Sequence, residues 1–328
     1  SLIPARDIET APSTRLFALW LQQSFLDDAV SVRAGQLPMQ EEFFTPLYGA
    51  NLIASPYGWP GSFAANMASG GGGYPLANLG ARLKVQPTSN LAFLAAVFTG
   101  DPAPGAAGRE DDAARRSSTG TDFTLEQPPV WFGEVQYGMN RGADAQGLMT
   151  LLKAGGWYTH ARYNNLRYDE TGRSLADPAT TGVAQRHYGN WALYASIDQQ
   201  LWRRPGTEDG GLGAFFRVSV MPEDRNQMPF YIDTGLALKG TFDGRDDDVA
   251  AIGFAFGTVS DRLSSLDDDQ RRLNGWTVSS RDYEALVEVS YRYAVTPWWT
   301  LVPDAQYIFH PGGGGAFDGG DTRSKRIP

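Results

Sequence analysis

The stretch "YEALVEVSYRYAV", residues 283–295, sets Tyr283, Ala285, Val287, Val289, Tyr291 and Tyr293 at alternate positions, with Glu284, Glu288, Ser290 and Arg292 between them. Side chains alternate across an extended strand, so the first set forms an apolar, aromatic face and the second a charged one. Two settings produce that pattern. One is a half-buried strand of a soluble sandwich; the other is a strand with lipid on one face and water on the other.

The same rhythm recurs along the chain. "RLFALWLQQSF" opposes Phe17, Leu19 and Leu21 to Trp20, Gln22 and Ser24, and "DDAVSVRAGQ" returns with Val30, Val32 and Ala34 against Ser31 and Arg33. "NLGARLKVQ" and the apolar run Leu91–Phe98 flank a "PTSN" turn. Further period-two segments follow in "VWFGEVQYG", "LLKAGGWYT", "NWALYASIDQ", "GLGAFFRVSV", "YIDTGLALKG", "VAAIGFAFG" and "WTLVPDAQYIF". That makes about twelve long strands, closer to the ~9–11 residues of membrane-spanning strands than to the ~5–6 of soluble ones. No helix of convincing length is predicted.

Composition narrows the class. The chain has 328 residues, 42% of them hydrophobic, which is enough for a large core. Its net charge of -9 argues against a nucleic-acid surface. Cysteine is absent, so there is neither a disulfide framework nor a thiolate metal site. No apolar run approaches the ~20 residues of a membrane helix, and no signal peptide is visible, so either it was removed or the chain begins late.

Two features favour lipid. Aromatic residues gather at the ends of the apolar rows (Trp131, Tyr137, Trp191, Tyr291, Tyr293, Trp298, Trp299), as interfacial girdles require. Connections alternate between short ones ("PTSN", "VTP") and long ones such as residues 101–129 and 261–282, the asymmetry of a barrel with tight turns on one rim. Residues 41–75, rich in Pro and Gly, break the rhythm; they are predicted to fold inward, since irregular backbone at membrane depth must line a cavity or be buried.

Several strings resemble the OprB-type carbohydrate-selective porins of Gram-negative outer membranes. They include "LWLQQSFLDDAVSVRAGQLPMQEEFF", "GGGGYPLANLGARLKVQPTSNLAFLAAVFTGDPAP", "WYTHARYNNLRYDETGRSLADPATTGVAQRHYGNWALYASIDQQLWR" and "PWWTLVPDAQYIFHPGGG". The resemblance extends over essentially the whole chain. It implies a sixteen-stranded transmembrane barrel, trimeric or monomeric, that passes sugars by diffusion through a narrowed lumen. It also implies that residues 1–328 are a single barrel domain lacking three N-terminal strands and the C-terminal closing strand, with some constriction residues on the missing strands.

No catalytic site, metal site or cofactor is expected. His160, His187 and His310 are scattered, "GGGG" at residues 70–73 lacks the rest of a phosphate loop, and the acidic runs 243–248 and 267–269 read as solvated turns without calcium-loop spacing. The polar rows are more informative. Arg33, Arg82, Lys84, Arg217 and Arg292 share a face with Glu134, Asp198, Asp233, Glu284, Glu288 and Asp304, a mixed-sign wall suited to a neutral polyhydroxy solute. Candidate pore-lining residues are Trp20, Arg33, Tyr74, Arg82, Glu134, Trp157, Arg217 and Asp304, with Trp20, Tyr74 and Trp157 placed to stack on sugar faces. The expected partners are carbohydrate solutes and outer-membrane lipid, and no nucleic acid. A diffusion channel without sugar preference, a barrel enzyme and a soluble sugar-binding β-protein are the alternatives.

Overall fold

The computed structural model describes residues 2–3, 12–105, 112–141, 145–205, 207, 210–277 and 279–315. The C-terminal string "DTRSKRIP" lies outside the described residues. Among the described residues thirteen strands form one antiparallel sheet: β1 (Leu19–Phe25), β2 (Val30–Leu37), β3 (Asn78–Val85), β4 (Leu91–Phe98), β5 (Val130–Met139), β6 (Thr150–Asp169), β7 (Ala184–Arg203), β8 (Gly211–Val220), β9 (Phe230–Lys239), β10 (Val249–Thr258), β11 (Tyr283–Thr296), β12 (Trp299–Leu301) and β13 (Asp304–Phe309). Each strand pairs with its neighbours in sequence, except that β12 and β13 both pair with β11. Among the described residues the sheet does not close on itself.

Register puts the apolar rows on one outer face. Leu21 is 84% exposed there, and Leu83, Phe93, Leu193, Ile252 and Val289 are exposed beside it. Trp131 lies opposite Tyr158, and Tyr158 opposite Trp191, which builds an outward aromatic band across three strands near the long-loop rim. Connections at the other rim are brief, including residues 26–29, 86–90, 240–248 and 297–298, whereas 38–77, 99–129 and 259–282 belong to the long-loop rim. The described helices include none long and apolar enough to cross a membrane.

The core lies inside the curl of the sheet. Residues 38–77 lie against its inner face, where Phe43 stacks on Phe132 at 4.8 Å and Phe44 meets Tyr194 at 4.3 Å between ring centres. A second cluster joins Leu52 and Tyr57 to Phe215, Tyr231 and Leu286. The inner row of β4 is therefore apolar (Ala92, Leu94, Ala96, Phe98), because it faces this segment instead of water. Wall glycines make room for it: a Cβ on Gly213 would sit 2.0 Å from the Tyr48 ring. A sandwich would bury the rows that are exposed here.

Three sequence expectations need correction. A fourteen-residue helix, Asp261–Asn274, stands on the long-loop rim. Ser260 caps it by accepting from the Arg262 N–H, and Gly275 ends it at φ 67°. Its apolar stripe is short, Leu263 and Leu266, and the run 267–269 masks it in the sequence. That run is no solvated turn, since Asp267 and Asp269 are buried against arginines. "WTLVPDAQYIF" is two strands and not one: Pro303, which has no N–H to give a ladder, separates β12 from β13.

Candidate functional site

Irregular backbone at membrane depth needs hydrogen-bond partners, and the inner wall supplies them. The Phe44 N–H donates to Glu134 on β5 at 2.8 Å, and the Leu47 and Tyr48 N–H groups to Asp198 on β7 at 2.8 and 3.1 Å. Those of Ile53 and Ala54 donate to Glu288 on β11 at 2.7 and 2.8 Å. Wall cations take the carbonyls: Arg217 on β8 donates to the carbonyl oxygens of Phe44, Pro56 and Gly58, and Lys153 on β6 to that of Thr45. Arg217 is fully buried and also holds Asp233 on β9. Phe44 thus touches β5 through its nitrogen and β8 through its oxygen, so the sheet must wrap around it.

The segment begins on a different arrangement. Glu42 accepts from Arg33 of β2 at 2.5 Å and from Arg82 of β3 at 2.8 Å. Gln22 of β1 accepts from both arginines, and Ser31 accepts from Arg82. The Arg33 guanidinium lies over the Trp20 ring at 3.9 Å, with Trp20 39% exposed. Trp20, Gln22, Arg33, Glu42 and Arg82 form one charged and aromatic group on the inner face of β1–β3.

The sequence candidates therefore separate. Trp20, Arg33 and Arg82 come together around Glu42. Glu134 and Arg217 hold the inward backbone. Trp157 is only 3% exposed, with the Phe63 ring 6.2 Å away edge-on, so its face packs in the core and is not offered to a solute. Tyr74 is exposed on the segment, its ring 5.4 Å from Phe17. Asp304 lies on the inner face at the edge strand β13, next to Gln306, apart from the β1–β3 group. Sequence reasoning missed Glu42 and Gln22, and it did not foresee that Asp198 and Glu288 receive backbone amides. The signal was present: a stretch with prolines at 38, 46, 56, 60 and 75 cannot pair all of its own N–H groups in one regular element, so mid-strand carboxylates opposite it are natural acceptors.

On the long-loop rim the helix Asp261–Asn274 is tied down by Arg167 to Asp269 at 2.9 Å and Arg281 to Asp267 at 2.7 Å. Hydrogen bonds from Ser280 and Arg271 hold the Asp268 carboxyl below the usual carboxylate range. Burial pushes Asp269 up, but hydrogen bonds from Arg167, Ser174 and Arg272 outweigh it and leave that group lowered too.

An antiparallel sheet with an exposed apolar outer face and an inward segment held by charged wall residues is porin architecture. A profile of the OprB family, described as carbohydrate-selective porins, matches residues 2–326. The chain belongs to the OprB family. Porins of this family occupy the Gram-negative outer membrane. Porin B of Pseudomonas aeruginosa is 24% identical over 310 residues, covering 91% of this chain and 64% of that protein. The putative porin QuiX of Acinetobacter baylyi is 22% identical over 312 residues, covering 91% and 65%. The chain thus spans just under two thirds of the length of these relatives. The fold is shared with Pseudomonas putida OprB. Its high-pH structure superposes with a TM-score of 0.75 at 23% identity, covering 91% of this chain and 69% of that one; its low-pH structure gives 0.51 at 19%, covering 90% and 62%.

Proposed function

We propose that this chain forms the wall and constriction of a passive channel for carbohydrates across the outer membrane. The observation that carries the reading is the split use of the inner wall. From β5 to β11, Glu134, Lys153, Asp198, Arg217 and Glu288 are occupied by the backbone of residues 38–77, so the segment covers that arc of the wall. The group around Trp20 and Arg33, by contrast, keeps open surface. Arg33 and Gln22 offer donors and acceptors to vicinal hydroxyls, Trp20 offers a ring face, and Glu42 balances the arginines so that neither sign dominates. Tyr74 and Asp304 are assigned to the margins of the same path, while Glu134 and Arg217 shape it by fixing the segment.

Solutes cross chemically unchanged on this reading, so no catalytic group is called for. A sheet edge cannot meet lipid unpaired, so β1 and β13 are placed beside further strands of one closed barrel, sixteen in all, working as a monomer or trimer. Proteoliposome swelling tests the function, with a ladder of sugars against non-sugars of equal size. Glucose-like sugars should enter faster than their size-matched counterparts. Equal rates would leave a channel without sugar preference, and no swelling with any solute would remove the channel reading.

A further inference from the structure

Below the inward segment, at the short-turn end of the sheet, is a cavity of about 480 Å³. Leu47, Tyr48 and Asn51 roof it, and the ends of β5–β10 wall it. Its ionisable lining is one-signed apart from Tyr48: Arg141, Arg203 and Lys239, with no carboxylate among the lining residues. Arg141 and Arg203 differ from Arg33, Arg82 and Arg217 elsewhere on the inner wall, each of which meets an acid. Among the described residues, neither Arg141 nor Arg203 is in an ion pair. Arg203 donates only to neutral oxygens, those of Ala145 at 2.7 Å, Gly147 at 2.9 Å and Gln200 at 3.3 Å, and its buried Nε has no partner. Asp198 is directed to the Leu47 and Tyr48 amides and is not part of the lining.

We infer that this cavity is a second solute subsite, selective for polyhydroxylated carboxylates such as sugar acids. The inference rests on the channel reading above. Guanidinium groups lacking a protein anion recognise a carboxylate by charge-assisted hydrogen bonds, and the amides of Asn51, Asn140 and Gln200 supply partners for hydroxyls. The volume falls within the ~300–1,000 Å³ of small-molecule sites. A cationic exit beyond a charge-balanced constriction would draw an acidic sugar through without making the narrow region an anion filter, provided that binding stays weak enough for release.

The test uses the full-length protein in planar bilayers, with potassium chloride current recorded while gluconate or glucose is added at the short-turn side. Gluconate should reduce the current at a concentration about tenfold below that of glucose, the worth of one charge-assisted hydrogen bond. Arg141→Gln should bring the two concentrations together, and Arg141→Lys should keep them apart. Among the described residues Arg141 makes no hydrogen bond or ion pair, so its replacement removes no such bond from the fold. Equal block by the two solutes in the unaltered protein, or the same gluconate preference in Arg141→Gln, would overturn the subsite. Absent conductance or absent sugar flux would instead count against the channel itself.

Discussion

Along β5–β11, inner-wall charges hold the backbone of residues 38–77, whereas along β1–β3 they meet only its Glu42 side chain, one another and open space. Residue types are the same on both arcs: arginine, glutamate, aspartate and aromatic rings. What differs is whether irregular backbone lies opposite. Where it does, Glu134, Asp198 and Glu288 take one or two amides each and Arg217 takes three carbonyls, so these charges act as a scaffold. Where it does not, Arg33 lies on Trp20 and shares Glu42 with Arg82, so the charges remain partly available. A mixed-sign row in a porin strand thus has two uses, and the sequence of the strand alone does not separate them.

The largest effect is expected from Arg217→Ala. It leaves Asp233 buried without its cation and releases the carbonyls of Phe44, Pro56 and Gly58. Breaking such a buried pair costs ~3–5 kcal/mol. The variant should unfold at a lower temperature in detergent, and protease should cut within residues 38–77. Arg33→Ala removes a partly exposed partner and should cost ~0–1 kcal/mol, so the contrast between the arcs fails if the two changes destabilise equally.

The lipid face ranks next. Val287→Arg places a charge on the outer row of β11 and should cost ~2–4 kcal/mol near the bilayer midplane. A spin label at Val287 should be reached by oxygen and not by a water-soluble quencher. The reverse accessibility would invert the two faces.

Function separates the arcs more finely. Arg33→Ala should lower the preference for glucose over a size-matched charged solute by several-fold in swelling assays, with the barrel intact. An unchanged ratio would move selectivity off the β1–β3 group.

The smallest effect concerns the rim. Asp268 and Asp269 have lowered folded-state values, so their tethering of the helix Asp261–Asn274 is fully present at neutral pH. It is lost as pH falls below the ordinary carboxylate value of ~3.9 and through those depressed values. A spin label at Leu273 should therefore gain mobility on acidification from pH 7 to pH 3 and show little change between pH 7 and pH 5. Release already at pH 5 would contradict the assignment of these carboxylates as the tether.

Much of the fold was legible in strands such as β8 and β11, because alternation reports directly on two unlike surroundings. It was less legible in β4, whose inner row of Ala92, Leu94, Ala96 and Phe98 faces a packed segment and so loses its polar mark. The inward course of residues 41–75 was readable from proline and glycine. Its attachments were not, since Phe44 to Glu134 and Ala54 to Glu288 join residues 90 and 234 positions apart. Trp157 reads as a stacking platform by its row and is a core residue by its neighbour Phe63, a distinction that only three-dimensional proximity makes.

The central claim is that residues 38–77 are fixed against the inner wall and set the width of the path. Ser62 in the segment and Ser219 on β8 lie with their hydroxyl oxygens 2.8 Å apart, and the chain has no cysteine of its own. In Ser62→Cys/Ser219→Cys, a disulfide should form under mild oxidation, and glucose swelling rates should be the same before and after reduction. Failure of the bond to form, or a glucose rate that changes markedly on reduction, would contradict a segment that already rests on the wall.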